Sequence, residues 1–372
     1  MLHLQNVTLD NIAKRIKSEK LRIVVYGAGM IGKIVAPDMI QRYDLLENID
    51  CYVDCDVRKQ GKYITIGDKP VKICSPTVLD SIAQNSILFI TNSNYSVVLA
   101  TLDENKHLNG MDAIIIPVMQ ALAVKERTNA TEIILRNYSE ELIPKKIHYC
   151  WFSGKEMPDY LKKCIESWHE KCPEYEIIRW DESNYDIHKN IYMEQAYNAQ
   201  KWGFVPDFAR LDILYTYGGF YLDTDVELLQ SLDDLRGQGA FCGVEKWGNI
   251  NMGGCSGAMK HHPMIGEMLA YRENIPFVYP DGTMNLETCG VYETQPFIKH
   301  GMAINNSTQR INDMTVFSSD FFHPYDYMSG ETILTKHTFS IHHFNGGWLN
   351  EQARQARTDT MEKYNQIVKR ME

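Results

Sequence analysis

The stretch GGFYLDTDVELL (Gly218–Leu229) breaks an apolar run to set Asp223 and Asp225 two residues apart. In a strand, side chains at i and i+2 leave on the same face. Two carboxylates so placed repel each other unless a cation lies between them. Carboxylate oxygens suit Mg2+ or Mn2+, ions that also bind phosphate oxygens. The segment just upstream, FVPDFARLDILYTY (Phe204–Tyr217), reads as a helix that starts at Pro206 and is stopped by Gly218 and Gly219. It carries Asp207 and Arg210 at i and i+3, so both reach one spot. Tyr221 precedes the acidic pair on the same face. A cation bridging Asp225 and a diphosphate would neutralise both.

Working outward, the chain has 372 residues, long enough for two domains of ordinary size. Its 44% hydrophobic and 23% charged content is that of a water-soluble globular chain. A net charge of -10 with no basic block argues against a nucleic-acid partner. Nine cysteines at scattered spacings, without a CxxC, read as reduced thiols. The first twenty residues have no apolar core of signal-peptide type, and no run approaches the ~20 apolar residues of a membrane span. The longest, AIIIPVMQALAV from Ala113, reads as a buried strand and turn. The expected location is the cytoplasm, with peripheral contact at the inner face of the membrane left open.

The N-terminal part alternates strands with helices. LRIVVYGAGMIGK, IDCYVDCD, SILFITNSN and MDAIIIP read as four strands of a parallel sheet, giving a small Rossmann-like unit over residues 1–125. Gly27, Gly29 and Gly32 form GxGxxG directly after the first of these strands. Such glycines allow a tight turn and close backbone approach to a phosphate, and Asp54 stands at the end of the next strand where a ribose contact is expected. Residues 126–142 read as a linker helix, 143–350 as a second α/β domain, and 351–372 as a charged helical tail.

In the second domain, IPKKIHYCWFSG (Ile143–Gly154) is a strand running into a glycine turn. MPDYLKKCIESWHEKCP is a helix with Leu161, Ile165 and Trp168 as its apolar stripe. FSIHHFNGGWL (Phe339–Leu349) closes the domain. With the DXD segment VPDFARLDILYTYGGFYLDTDVELLQSLDDL, these motifs resemble the DXD glycosyltransferases of the sugar-binding-region family, which includes fungal mannosyltransferases, bacterial capsule enzymes and the glucosylating domain of clostridial toxins. The resemblance spans about residues 143–350. It implies a GT-A fold, a nucleoside-diphosphate sugar donor, Mn2+ or Mg2+, and retention at the anomeric carbon. Carried across, Trp151 stacks on the base, Tyr221 lies near the nucleoside, and Asp207 with Arg210 holds sugar hydroxyls and phosphate. Asp223 contacts ribose and sugar, Asp225 ligates the metal, and His343 with Trp348 completes the metal and diphosphate site. His342 is the weaker candidate of the two histidines. Asn251, in NINMGG, is a candidate donor contact, and Glu293 to Gln295 are placed toward the acceptor. Two departures stand out. Pro206 replaces the serine common before the helix aspartate, and Gly347-Trp348 replaces Ser-Trp.

The resulting expectation is a retaining transferase that moves a hexose or N-acetylhexosamine, UDP-linked, to a glycan hydroxyl in bacterial capsular or cell-surface polysaccharide synthesis. The N-terminal segment resembles small Rossmann-like domains attached to bacterial polysaccharide-biosynthesis proteins. Two competing readings are an NAD(P)-dependent or nucleotide-sugar-modifying enzyme built on the glycine loop, and a scaffold with a decayed transferase domain. The first leaves the DXD, Trp151 and closing motifs unexplained. The second is opposed by the intact set Asp207, Arg210, Asp223 and Asp225.

Overall fold

The computed structural model describes residues 1–127, 140–347 and 349–371, the side chains of 125–127 excepted. Two compact units divide the chain: Met1–Ala130 with Tyr327–Gly330 and Asn350–Glu372, and Thr131–Asp326 with Glu331–Leu349. Both are mixed α/β.

The first unit is a seven-stranded sheet with helices. Its elements run β1 (His3–Leu4), α1 (Leu9–Glu19), β2 (Arg22–Tyr26), α2 (Ala36–Arg42), β3 (Ile49–Val53), β4 (Tyr63–Ile66), β5 (Lys69–Cys74), β6 (Ser86–Ile90), α3 (Tyr95–Glu104), β7 (Asp112–Ile115) and α4 (Ile116–Arg127). The strand order is β1-β7-β6-β2-β3-β5-β4, parallel except for the β4–β5 hairpin. β2 and β6 are apolar almost throughout and buried on both faces, as central strands of a parallel sheet must be. The run from Ala113 is not a strand and turn. The strand ends at Ile115 and a helix begins at Ile116, because Pro117 fits a first helical turn, where the missing N–H costs nothing. The linker helix expected at 126–142 falls mostly outside the described residues. The C-terminal segment forms a long helix (Glu351–Met371) that packs on α3, with the Ser96 and Thr360 hydroxyls 2.9 Å apart and Arg370 donating to Asp103 at 2.6 Å.

The second unit begins with β8 (Lys146–Cys150), α5 (Asp159–Lys171), β9 (Glu176–Trp180), α6 (Ile191–Asn198), α7 (Pro206–Tyr217), β10 (Gly219–Tyr221) and β11 (Val226–Leu228). It continues with β12 (Ala240–Val244), β13 (Ile250–Asn251), β14 (Ser256–Ala258), α8 (Pro263–Arg272), α9 (Cys289–Lys299), β15 (Gln309–Ile311), β16 (Met314–Phe317) and β17 (Ser340–His342). Its main sheet runs β15-β16-β12-β14-β10-β8-β9. β8, β9 and β10 are mutually parallel, so their carboxyl ends form one edge, where ligands of α/β sheets bind. Trp151 and Asp223 both lie just past that edge. A separate two-stranded ribbon pairs β11 with β17, setting Val226 opposite His342.

The turn into β10 shows why two glycines end α7. Gly218 and Gly219 both have positive φ, 64° and 103°. A Cβ on Gly219 would stand 2.8 Å from the Lys146 carbonyl and 3.0 Å from His148 Nε2. His148 in turn donates from Nε2 to the Gly218 carbonyl at 2.9 Å and accepts the Trp180 indole N–H on Nδ1 at 3.1 Å. Burial holds its pKa down at about 4, so the ring stays neutral in that tautomer.

The core of this unit gathers Ile147, Trp168, Phe220, Leu222, Val226, Phe241 and the Phe317, Phe321, Phe322 cluster. Trp168 is fully buried and donates its indole N–H to the Val226 carbonyl at 2.7 Å, which locks α5 beneath the ribbon strand that follows the acidic pair. Trp168→Ala removes that ring and orphans the carbonyl. The expected loss is about 3–5 kcal/mol of stability, read from the midpoint of a denaturant titration at unchanged slope.

Candidate active site

The acidic pair does not sit in a strand. Asp223, Thr224 and Asp225 form the turn between β10 and β11, closed by the Val226 N–H on the Asp223 carbonyl at 3.1 Å. A turn still aims both carboxylates one way, and here it aims them at β17. Asp223, Asp225 and His342 each offer a ligand atom within 4.8 Å of the others. His342 is the histidine of this set, not His343. Along β17 and just beyond it successive side chains alternate faces, so the one that pairs across to Val226 turns inward and the next turns out. His342 Nε2 stands 3.3 Å from Asp225 Oδ1, while His343 lies beside Glu227 at 3.0 Å. Trp348 falls outside the described residues.

Electrostatics set the protonation of this cluster. Burial alone would raise the Asp225 pKa, but His342 and the Asn345 N–H, 2.9 Å away, outweigh it and bring the carboxyl to about 2. His342 shows the converse: burial disfavours its charge, and Asp225 more than compensates, raising its pKa. Its Nδ1 is buried and has no partner among the described residues. Two carboxylate oxygens and one imidazole nitrogen make a donor set that fits Mn2+ or Mg2+.

Beside it lies a buried charge cluster centred on Arg210. From α7, the guanidinium reaches Asp207 at 3.3 Å, Asp223 at 3.4 Å and Glu293 of α9 at 3.3 Å. Its side chain is 4% exposed. Asp207 also receives the Tyr192 hydroxyl at 3.4 Å and faces Arg272 at 3.5 Å. Arg272 itself is clasped between the rings of Tyr192 and Tyr292, 4.2 and 4.4 Å from their centroids. The Tyr221 hydroxyl donates to Asp223 at 3.1 Å. Pro206 occupies the first position of α7, where it pre-sets the helix that delivers Asp207 and Arg210.

Other expected residues take different roles. Trp151 is half-buried just past β8 and donates its indole N–H to the Lys155 carbonyl at 2.8 Å. The Asn251 amide is fully engaged inside its own loop: its oxygen accepts the Gly253 and Gly254 N–H groups at 2.8 and 3.2 Å, and its nitrogen donates to Glu245 at 2.9 Å. It shapes the loop, and that loop presses on the acids. A Cβ on Gly253 would come within 2.0 Å of Asp223 Oδ2. Glu293 packs inward. It is 3% exposed and faces Arg210.

In the first unit, the glycine loop has the turn its sequence implies. Gly27 adopts φ 114°, and Gly32 lies so close to the Gly27 carbonyl that a Cβ would meet it at 2.1 Å. Asp54 is spent on the loop itself. It accepts the Ala28 and Asp56 N–H groups, both at 2.8 Å, and meets Lys59 at 3.2 Å.

Sequence reasoning rated His342 low and passed over Arg272 and Tyr192. The alternation of FSIHHF held the signal for the first. The others lie far apart along the chain and are joined only by the fold.

Residues 158–242 match the family described as glycosyltransferase sugar-binding region containing DXD motif. An uncharacterized glycosyltransferase of Acanthamoeba polyphaga mimivirus is 28% identical over 200 residues, 49% of this chain and 74% of that protein. Inositol phosphoceramide mannosyltransferase 3 of Schizosaccharomyces pombe is 30% identical over 145 residues, covering 37% of this chain and 39% of that protein. Among solved structures, the PaToxG glycosyltransferase aligns over 50% of this chain and 79% of its own with a TM-score of 0.34 and 19% identity. The match to the DXD sugar-binding region thus lies over residues 158–242, and the relatives named here are glycosyltransferases by description.

Glu293 gives the site a pH signature. Burial, with Asp207 nearby, raises its pKa from 4.5 to about 7, against the pull of Arg210. The folded chain thus favours its protonated form. The stability this group contributes is complete below pH 4.5 and is lost as pH rises through 7. Glu293→Gln cannot ionise, so the variant's stability relative to the parent is expected to improve steadily from pH 4.5 to 8. Denaturant midpoints at several pH values check this.

Proposed function

We infer that this protein transfers a hexose or N-acetylhexosamine from a UDP-linked donor to a glycan hydroxyl, with retention of anomeric configuration, using Mn2+ or Mg2+. The observation that carries the reading is the convergence of Asp223, Asp225 and His342 beside a buried arginine, at the carboxyl edge of parallel strands. A divalent ion held by Asp225, Asp223 and His342 would supply charge neutralisation for a diphosphate. Arg210, kept cationic by its carboxylate neighbours, faces the same region and suits the charge that builds on a leaving diphosphate. Trp151, half-buried just past β8, is the ring we assign to the donor's base.

The carboxylates around Arg210 are already committed. Asp207 is held by Arg210, Arg272 and Tyr192, and Glu293 by Arg210 and the Met252 N–H. Neither is presented as a covalent nucleophile. This favours attack on the face from which the diphosphate leaves. The acceptor oxygen bonds to the anomeric carbon, the carbon–oxygen bond to phosphate breaks with its electrons passing to the phosphate, and the acceptor proton goes to that phosphate.

The relatives named as mannosyltransferases support a hexose. Among the described residues no helix is long and apolar enough to cross a membrane; the proposed setting, from the resemblance of the Rossmann-like unit, is polysaccharide precursors in the cytoplasm or at the inner face of the membrane. A bacterial capsular or cell-surface polysaccharide is the proposed product, with a lipid-linked or free glycan as acceptor.

Donor hydrolysis across a panel of UDP- and GDP-sugars, with and without Mn2+, tests this reading. Metal-dependent release of nucleotide from one donor is the expected result. Asp225→Asn should abolish it. His342→Ala should weaken Mn2+ binding about 10- to 100-fold, while His343→Ala leaves it within about twofold. Equal losses at both histidines, or full turnover without metal, would sink the assignment.

A further inference from the structure

Glu293 is a buried carboxylate whose two oxygens serve two different parts of the site. One receives Arg210 Nη1 at 3.3 Å, and the other the Met252 N–H at 2.9 Å. Met252 opens the turn Met252–Gly254, whose Gly253 carbonyl accepts the Asp223 N–H at 2.8 Å. The same turn lies against the Asp223 carboxylate, with no room for a side chain at Gly253. The next residue along α9, Thr294, accepts the Ile250 N–H at 3.0 Å and so fixes the approach to that turn. α9 therefore holds the helix cation and the turn against Asp223 through one side chain, and steadies the strand before it through the neighbouring one.

Such a strut fixes distances that a diphosphate would have to match. Without it, Arg210 keeps Asp207 and Asp223 but loses the contact that stops its guanidinium from swinging toward them. The Met252–Gly254 turn also loses the acceptor for a buried N–H, which frees it to shift against Asp223. Both effects act on ligand binding at a distance, since Glu293 is shut off from solvent. Resting on the glycosyl-transfer reading, we propose that Glu293 is a positioning residue for the donor diphosphate, acting through Arg210 and through the Met252–Gly254 turn.

A double-mutant cycle tests this by calorimetric titration of UDP and of GDP in the presence of Mn2+. It compares the parent, Glu293→Gln, Arg210→Ala and the double variant. Glu293→Gln is expected to weaken nucleotide binding about tenfold with Arg210 present and only about threefold, the share carried by the turn, with Arg210 removed. Glu293→Asp, which keeps the carboxyl group on a shorter stem, should recover part of the loss. A fold defect alone would lower the thermal midpoint and weaken binding equally in both backgrounds. That additive result, or unchanged affinity in Glu293→Gln, overturns the role of Glu293 while leaving glycosyl transfer standing. A parent protein that binds neither nucleotide with Mn2+ refutes the transferase reading and this proposal together.

Discussion

A guanidinium taken out of water has to be answered by negative charge, and Arg210 is answered by three carboxylates from three places in the chain. Asp207 comes from its own helix, Asp223 from the turn after β10 and Glu293 from α9. Desolvating so many charges is expensive, and such a cluster persists only where each group is paired with good geometry. That requirement orders much of the second unit. It fixes the phase of α7, the closeness of the Met252–Gly254 turn and the depth at which α9 packs. Arg272, held between two tyrosine rings, supplies the second positive charge that keeps Asp207 in balance. The cluster is better understood as a device for holding shape than as a source of stability.

Next to it the acidic turn faces outward enough to meet a ligand. The Asp223 side chain is 26% exposed and that of Asp225 16%. The contrast is functional. The cation that would greet a diphosphate is anchored in a dry cluster, while the carboxylates that would share a metal stand at its rim. Asp223 belongs to both. Its backbone N–H is bound to Gly253 and its carboxylate to Arg210 and Tyr221, so it links the rigid side to the accessible one.

Much of this was legible in the sequence where local chemistry decides the outcome. Pro206 before a helix, paired glycines after it and the i, i+3 placement of Asp207 and Arg210 all follow from rules acting within one turn of chain. The hairpin of Tyr63–Ile66 and Lys69–Cys74 was missed, although its buried positions alternate and its turn is Gly67-Asp68. Pro117 misled in the opposite direction, because a proline that ends a strand also begins a helix. The histidine was assigned by motif likeness to His343, but strand pairing gives the inward position to His342. Glu293 and Arg272 reach the site only through the packing of α8 on α7 and of α9 on α8, and nothing near them in sequence announces it. The Asn251 amide is polar and flanked by glycines, and its oxygen accepts two of their N–H groups.

The ribbon of β11 and β17 carries a consequence for the life history of the chain. It joins Val226 to His342 across 116 positions of sequence, and the Asn345 N–H then reaches back to Asp225. A ribosome emits the acidic turn long before it emits the histidine. Until the closing segment has emerged and zipped against β11, the growing chain presents two aspartates without the histidine that faces them. Assembly of the Asp223, Asp225 and His342 set is thereby postponed to the end of the domain's synthesis, and a chain that stalls before that point lacks its third member.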